Sequence, residues 1–486
     1  MKILIVSPEV SPYAKTTGLA DVAGMLARSL RKLGHDARLI MPCYKNVDDN
    51  GFSLRKGRKS IEVDIDGTPQ KGLLRQTLLE GVPVYFIENR DYFHRDGLYG
   101  NGKGEYADNA QRFGFFCHAV LQLLRRMDFR PDVLHLHGWQ TGLIPVLLRT
   151  NLKGDPFYAQ MSTLFTLHDL DKTGQFPIAD LDGLGLDPAE PDYSGLALNG
   201  GICFLRGGLL FADQINTLSE TYRDELHSTA FAGEFAPLLR RRSASFHGVL
   251  NGIDTRCWDP SLDMHINRPF NVENLNGKKA NKRALQKETG LALEPLVPLV
   301  GLVSPLTREK GCDILVAAAD RLLERGMQVI VAGQGDEALE EKLRALGERR
   351  PERIRVFLTD EQGLARRIFA GSDIFLMPSR HEPCGREQIV ALRYGSVPVV
   401  HRTGGLNDTI IDIDERPRQG NGFVFDQPTP EAMLAALDRA LNAYENRRQW
   451  LKLVKRGMTQ DFSWTGAAEK YVELYRKSME SPRQQP

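Results

Sequence analysis

The sequence predicts an α/β protein made of two doubly wound parallel sheets, and three observations carry that reading. Apolar runs of strand length alternate with segments of helical period along most of the 486 residues. The alternation forms two series. Between them lies a polar stretch, Asn251–Gly290, rich in Asn, Asp and Lys and low in apolar periodicity. The length suits about two to three domains, ample for large cores.

Lys2–Val6 opens the first series as a buried strand, followed by a polar loop and a helix at Leu19–Leu33. Leu19, Val22, Ala23, Leu26, Leu30 and Leu33 fall near helical spacing there, and Gly34 supplies a stop. Strands at Arg38–Met41, Val82–Ile87, Val133–Leu136 and Thr163–Leu167 follow, with a helix at Ala107–Met127. The second series has strands Leu299–Val303, Gln328–Ala332, Ile354–Phe357, Ile374–Met377 and Val397–Val400. Helices Asp313–Arg325, Glu337–Leu346, Gln362–Ala370 and Glu387–Tyr394 alternate with them. Two such domains with a polar junction place a ligand cleft between them. The tail Ser481–Pro486 reads as disordered.

Composition narrows the function classes. Lys plus Arg number 63 against 62 for Asp plus Glu, so neither a nucleic-acid nor a membrane partner is indicated. The cysteines Cys43, Cys117, Cys203, Cys257, Cys312 and Cys384 form no C-x-x-C pair, which predicts reduced thiols and no zinc. The apolar run after Lys2 is too short for a signal peptide, and no run reaches the roughly 20 residues that span a bilayer. A cytoplasmic protein without metal or cofactor is the expectation.

The richest stretch is Pro378–Thr409. It places Glu382 in a Pro-Cys-Gly turn that opens a helix, then a strand, then the turn Thr403-Gly404-Gly405. Helix starts present unpaired N–H groups and a positive dipole end, which bind anions. A carboxylate beside such a site suits the removal of a sugar from a diphosphate. Lys15, between the first strand and first helix, and Lys310, in TREKG, can each neutralise phosphate. His168 follows a strand at its carboxyl end, where ligands of parallel sheets gather. Taken singly, a loop lysine such as Lys15 is ordinarily solvated and a strand-end histidine ordinarily structural, whereas an acid complementing a helix dipole is the lesser reading of Glu382. Gly333 and Gly335 follow a strand too, but Ala338 breaks the dinucleotide fingerprint, so an NAD enzyme is disfavoured.

Eight segments in register resemble bacterial glycogen synthases and plant starch synthases, glycosyltransferase family 5. They are KILIVSPEVSPYAKTTGLADV, PDVLHLHGWQTGL, LNGID, VSPLTREKGCD, VAGQGDEALEE, SRHEPCG, RTGGLNDT and DFSWTGAAEKYVELYRK. The resemblance implies the GT-B architecture, two Rossmann-like domains facing across a cleft. Residues 1–250 would form the acceptor-side domain, completed by a returning helix at 462–480, and 251–461 the nucleotide-sugar domain. It also implies retaining transfer of glucose from ADP-glucose to the non-reducing end of an α-1,4-glucan, with no cofactor. Catalytic roles then fall to Glu382, His168 and Lys310. Substrate binding falls to Lys15, Gly18, Lys310, Gly385, Thr403, Gly404 and Gly405.

The chain departs from the family pattern at named places. Thr17 and Ala20 replace two glycines beside Lys15, and Gly138 and Gln140 replace an aspartate and a histidine. Asp169 stands for asparagine, Pro305 for arginine, Asp360 for a base-adjacent tyrosine and Glu387 for threonine. Arg308 lies on the Pro305 loop and offers a substitute guanidinium. Two further readings therefore stay open: a degenerate homologue that binds glucan or a synthase partner, and a synthase with an altered donor.

Overall fold

The computed structural model describes residues 1–127, 129–186 and 195–480, so the expectation for Ser481–Pro486 lies outside the described residues. The chain divides into two compact units. The first comprises Met1–Leu218, Arg223–Val249 and the C-terminal helix Trp464–Glu480; the second comprises Ser219–Tyr222 and Leu250–Ser463.

In chain order the first unit contributes β1 (Lys2–Val6), β2 (Asp36–Pro42), β3 (Arg55–Ile65), β4 (Thr68–Leu79), β5 (Val82–Glu88), β6 (Val133–His137) and β7 (Ser162–Thr166). Short strands β8 (Gln175–Pro177), β9 (Ala197–Leu198) and β10 (Gly201–Cys203) form a small separate sheet, and β11 (Gln214–Thr217) and β12 (Phe246–Gly248) complete the large one. The large sheet runs β12-β11-β7-β6-β1-β2-β5-β4-β3. Its central strands are parallel and buried on both faces, which is why they read as continuous apolar runs. The helix Trp464–Glu480 packs on β6, β7, β11 and the helix Leu19–Lys32.

Strands β3 and β4 are an antiparallel hairpin at the sheet edge, an element the sequence reading left out. Its turn is Asp66-Gly67, both at positive φ, and Glu80-Gly81 repeats that geometry before β5. Both pairs meet the positive-φ requirement of a type I′ turn, and Ile61, Val63 and Ile65 alternate inward ahead of the first. The Asp-Gly signal was therefore present. The sheet is mixed rather than wholly parallel.

The second unit forms a six-stranded parallel sheet in the order β15-β14-β13-β16-β17-β18. Its strands are β13 (Leu299–Val303), β14 (Gln328–Ala332), β15 (Ile354–Phe357), β16 (Ile374–Met377), β17 (Val397–His401) and β18 (Phe423–Phe425). The helix expected over Asp313–Arg325 is two pieces, Cys312–Ala317 and Ala319–Leu323, with the Ala318 N–H shared between the carbonyls of Ile314 and Leu315.

The polar stretch Asn251–Gly290 contains a helix, Asn276–Thr289. Its buried stripe is Gly277, Asn281, Lys282, Leu285, Gln286 and Thr289, helically spaced but almost all polar. Apolar periodicity could not mark it. Lys282 Nζ donates to Asp373 at 2.6 Å and to the Val297 carbonyl at 2.5 Å, while the Asn281 amide brackets the Arg268 backbone. Buried polar groups so matched bear little of the cost that unpaired ones would.

Candidate active site

Each unit gathers its candidate residues at a point where strand order reverses, the usual ligand position in open parallel sheets. In the first unit the chain moves from β1 outward to β2 and then returns to β6 on the other side of β1. The loops after β1, β6 and β7 carry Lys15, Gly138 and His168. In the second unit β13 lies between β14 and β16, and the loops after β13, β16 and β17 carry Lys310, Glu382 and Thr403-Gly404-Gly405.

Within the first unit, Lys15 Nζ lies 2.7 Å from the Asp21 carboxylate, with side chains 47% and 31% exposed. An exposed pair of this kind is held by about 0–1 kcal/mol, so the ammonium is free to turn to a phosphate at small cost. Gly18 precedes the helix with φ −65°, and a Cβ there would meet nothing within 4 Å. Its backbone therefore does not require glycine.

The loop that carries Lys15 is templated by Glu9, a residue the sequence reading missed. Glu9 is 1% exposed. Its carboxylate accepts from the Thr16 N–H at 2.5 Å, the Thr16 hydroxyl at 2.6 Å, the Thr17 N–H at 3.1 Å and the Tyr99 hydroxyl at 2.7 Å. An isolated acid six residues before a lysine has no spacing signature, so only the fold reveals it. Glu9→Gln replaces an all-acceptor group with one whose NH₂ faces a donor. The expected loss is about 1.5–3 kcal/mol of unfolding free energy, the worth of a hydrogen bond to a charged group, read by urea denaturation.

His168 sits just past β7, its Nε2 3.0 Å from Nδ1 of His137. Burial pushes the His168 imidazole down to about 3, and burial with the neighbouring histidines pushes His137 well below the ordinary range. Both rings are neutral at physiological pH. Asp169 uses its carboxylate to accept the Asp171 N–H at 3.1 Å.

Within the second unit, Lys310 Nζ donates to Glu382 Oε2 at 2.7 Å, and the Ser379 hydroxyl reaches the same oxygen at 3.2 Å. Glu382 is 7% exposed. Burial works against the Lys310 charge, but the Glu382 carboxylate, its hydrogen bond and the Glu387 charge outweigh it and hold the ammonium above the ordinary lysine range. The two loops are also joined by Arg380, whose N–H donates to the Glu309 carbonyl at 2.7 Å and whose guanidinium holds Asp313 at 2.6 and 2.9 Å.

The Thr403-Gly404-Gly405 turn presses on the Glu382 turn. A Cβ at Gly404 would lie 2.1 Å from the Glu382 carbonyl and one at Gly405 1.8 Å from the Cys384 carbonyl, and the Gly405 N–H donates to Glu382 at 2.9 Å. The glycines thus fix the backbone that presents the carboxylate. Thr403 is buried at the start of the helix Gly404–Thr409. Gly385 has φ +65° and turns the chain into the helix Glu387–Arg393.

Residues 2–241 match the family described as the starch synthase catalytic domain, and 287–456 match glycosyl transferases group 1. A glycogen synthase of Syntrophotalea carbinolica is 48% identical over 99% of both chains, and one of Geotalea daltonii is 48% identical over 98% of both. The catalytic domain of starch synthase IV from Arabidopsis thaliana, bound to ADP and acarbose, superposes with TM-score 0.87 at 33% identity, covering 98% of this chain and 99% of that one. The chain belongs to the starch and glycogen synthase family of glycosyltransferases. Its fold class is the two-domain GT-B architecture of that family.

Among starch and glycogen synthases, the departures of this chain acquire structural reasons. Thr17 Oγ1 accepts the Leu19 N–H at 3.3 Å, satisfying a first-turn donor of the Leu19–Lys32 helix. Gly138 has φ +74° and ψ 163°, a conformation essentially confined to glycine, and a Cβ there would lie 2.7 Å from Gln140 Oε1. An aspartate at this position would demand a different loop path. Glu387 remains ionised: burial opposes it, but Arg386, Lys310 and nearby N–H groups hold its pKa below the ordinary range. Arg386 Nη2 lies 3.3 Å from it. The Arg308 side chain is 82% exposed and lies 3.9 Å from Asp313. Asp360 is exposed in the loop after β15.

No described helix is long and apolar enough to cross a membrane, and no described group of three or more His, Cys, Asp or Glu could hold a metal ion.

Proposed function

We propose that this protein is a glycogen synthase that transfers glucose from ADP-glucose to the non-reducing 4-hydroxyl of an α-1,4-glucan with retention of configuration. The observation that carries the reading is the part-buried Lys310–Glu382 pair at the reversal point of the second sheet. The name shared by the bacterial relatives supports glycogen as product, and the ADP held by the Arabidopsis relative supports an adenine nucleotide. A cytoplasmic location goes with this reading.

Departure of ADP from the anomeric carbon leaves an oxocarbenium-like sugar and a diphosphate that gains charge. Lys310 and Lys15 neutralise that charge. Glu382, held at a fixed point by Lys310 and Ser379, supports the positive charge on the sugar. His168 orients the sugar as a neutral hydrogen-bonding group. The E-x₇-E pair of related retaining transferases is absent, since Val390 occupies its second position, and another carboxylate near Lys310 is Glu387.

The test is glucan extension with ADP-glucose and UDP-glucose side by side. Elongation with ADP-glucose supports the reading, and a preference for UDP-glucose would trace to Asp360. Gly138 and Pro305 favour a second reading, a homologue that binds glucan without transferring sugar; elongation with neither donor, but retained glucan binding, would establish it.

Pro305→Arg tests whether the chain is a weakened synthase. Pro305 is exposed and its carbonyl, not its nitrogen, serves the loop, accepting from the Thr307 N–H at 3.0 Å and the Ser304 hydroxyl at 3.1 Å. An arginine there adds a fork able to grip phosphate oxygens. The expected result is a rise in kcat/KM for ADP-glucose of about tenfold, equivalent to about 1.4 kcal/mol at the transition state. An unchanged value would show that the existing lysines suffice.

A further inference from the structure

We infer that His137 sets the tautomer of His168: His137 Nδ1–H donates to His168 Nε2, which places the His168 proton on Nδ1, where it donates to a hydroxyl of the donor sugar. The inference deepens the proposed function and rests on His168 being a sugar-contacting residue.

The geometry starts from β6. His135 and His137 are two residues apart on one face of that strand, and β7 runs parallel beside it with Thr166 paired to His137. The His137 ring lies against His135, centroids 4.2 Å apart and tilted by 39°, and its centroid is 5.3 Å from that of His168. His137 is fully buried, and its Nε2 has no hydrogen-bond partner.

A single proton occupies the 3.0 Å contact between His137 Nδ1 and His168 Nε2. Suppose His168 donated it. His137 would then carry its own proton on Nε2, a buried N–H with no acceptor, and such orphan donors are the rarer and costlier defect. Donation by His137 leaves on Nε2 only an unmet lone pair, and the proton of His168 then resides on Nδ1. A second proton on either ring is opposed by burial, which holds both imidazoles neutral.

His135 contributes no proton to this pair. Its Nε2 lies 2.7 Å from the Thr166 hydroxyl, which itself donates to Asn216 Oδ1 at 2.7 Å, so Nε2 must be the donor. The Tyr475 hydroxyl then donates to His135 Nδ1 at 2.8 Å. With both nitrogens engaged, His135 serves as a fixed surface under the His137 ring. His137 is accordingly a positioning residue.

The experiment uses the full chain labelled with ¹⁵N-histidine. Long-range ¹H–¹⁵N spectra, assigned with His168→Gln and His137→Phe, should show His168 protonated on Nδ1 and bare on Nε2 through the range where an ordinary histidine titrates, around pH 6.5. Kinetics supply the second readout. His137→Gln and His137→Phe place no donor at the Nδ1 position and should lower kcat by about 10- to 100-fold, the scale set by leaving one buried hydrogen-bonding group unmet. His137→Asn carries an amide N–H at that position and should recover most of the loss. A His168 protonated on Nε2 overturns the inference, as does equal impairment of the Asn and Gln variants, which would indicate packing alone. Full transfer by His168→Ala with an Nδ1–H tautomer in the wild type overturns instead the sugar-contacting reading, and with it the purpose given to the tautomer.

Discussion

Lys310→Met is expected to destabilise the protein and abolish most transfer together. The substitution keeps the aliphatic stem but removes the ammonium 2.7 Å from Glu382. The carboxylate, 7% exposed, is then left with the Ser379 hydroxyl at 3.2 Å. Removing one partner of a buried ion pair costs about 3–5 kcal/mol because the other charge stays behind uncompensated. The Lys310 side chain is 25% exposed, so the lower end of that range applies. Urea unfolding at neutral pH measures it. A double variant, Lys310→Met with Glu382→Gln, should unfold at higher urea than Lys310→Met alone, since the orphan charge is gone. If the double variant is no more stable, the penalty lies in packing rather than in charge. Under the proposed function transfer should fall for a separate reason, the loss of the cation assigned to the diphosphate, and the double variant should recover none of it.

The sign of the pH dependence follows from the raised pKa of Lys310. A lysine held above its unfolded value contributes stability that is complete below the unfolded pKa and is lost as pH rises through the folded one. The wild type should therefore keep this contribution across neutral pH and shed it only in alkali.

Much of this was legible in the chain because the chemistry-bearing residues follow strands buried on both faces. Leu299–Val303, Gln328–Ala332, Ile354–Phe357 and Ile374–Met377 have the same bounds in structure as in the sequence reading, since an apolar run in a parallel sheet ends where its loop begins. Lys310 and Glu382 stand in the loops after two of those strands, and their ion pair needed only the sheet order. What was not legible is polar and long-range. Glu9 gains its meaning from Thr16, Thr17 and Tyr99, ninety positions away in the last case. His137 had no role in the sequence reading, and only the loop after β7, which brings His168 to 3.0 Å, supplies one. The helix Asn276–Thr289 escaped because its buried face carries a single leucine, Leu285, among asparagine, lysine, glutamine and threonine. β18 and β12 are three residues each, too short for a period of two to register. Hydrophobic pattern reports how strands and helices alternate; it is silent on buried polar pairs, whose partners are chosen by the fold.

Glu382→Gln is expected to lower kcat by about 100- to 1000-fold, the range seen when one preorganised electrostatic group is removed from a transition state. The side chain is nearly isosteric, and the turn that presents it is fixed by backbone contacts that do not involve the carboxylate: the Gly405 N–H holds the Glu382 carbonyl at 2.9 Å, and Gly404 and Gly405 abut the turn. Geometry should survive. Charge should not. In the ground state the sugar is neutral, so KM for ADP-glucose should change little; in the transition state the sugar is positive, and an amide dipole replaces a full negative charge at a point shielded from water. Equal falls in kcat and kcat/KM would identify an interaction made only in the transition state. Lys310 adds a second consequence. Its partner in the variant is a neutral amide, so its full charge is offered to the diphosphate, which would tighten ADP binding even as turnover collapses. Isothermal titration with ADP, run beside the kinetics, separates the two effects. A variant that keeps its kcat while its KM for ADP-glucose rises would assign Glu382 to substrate positioning alone.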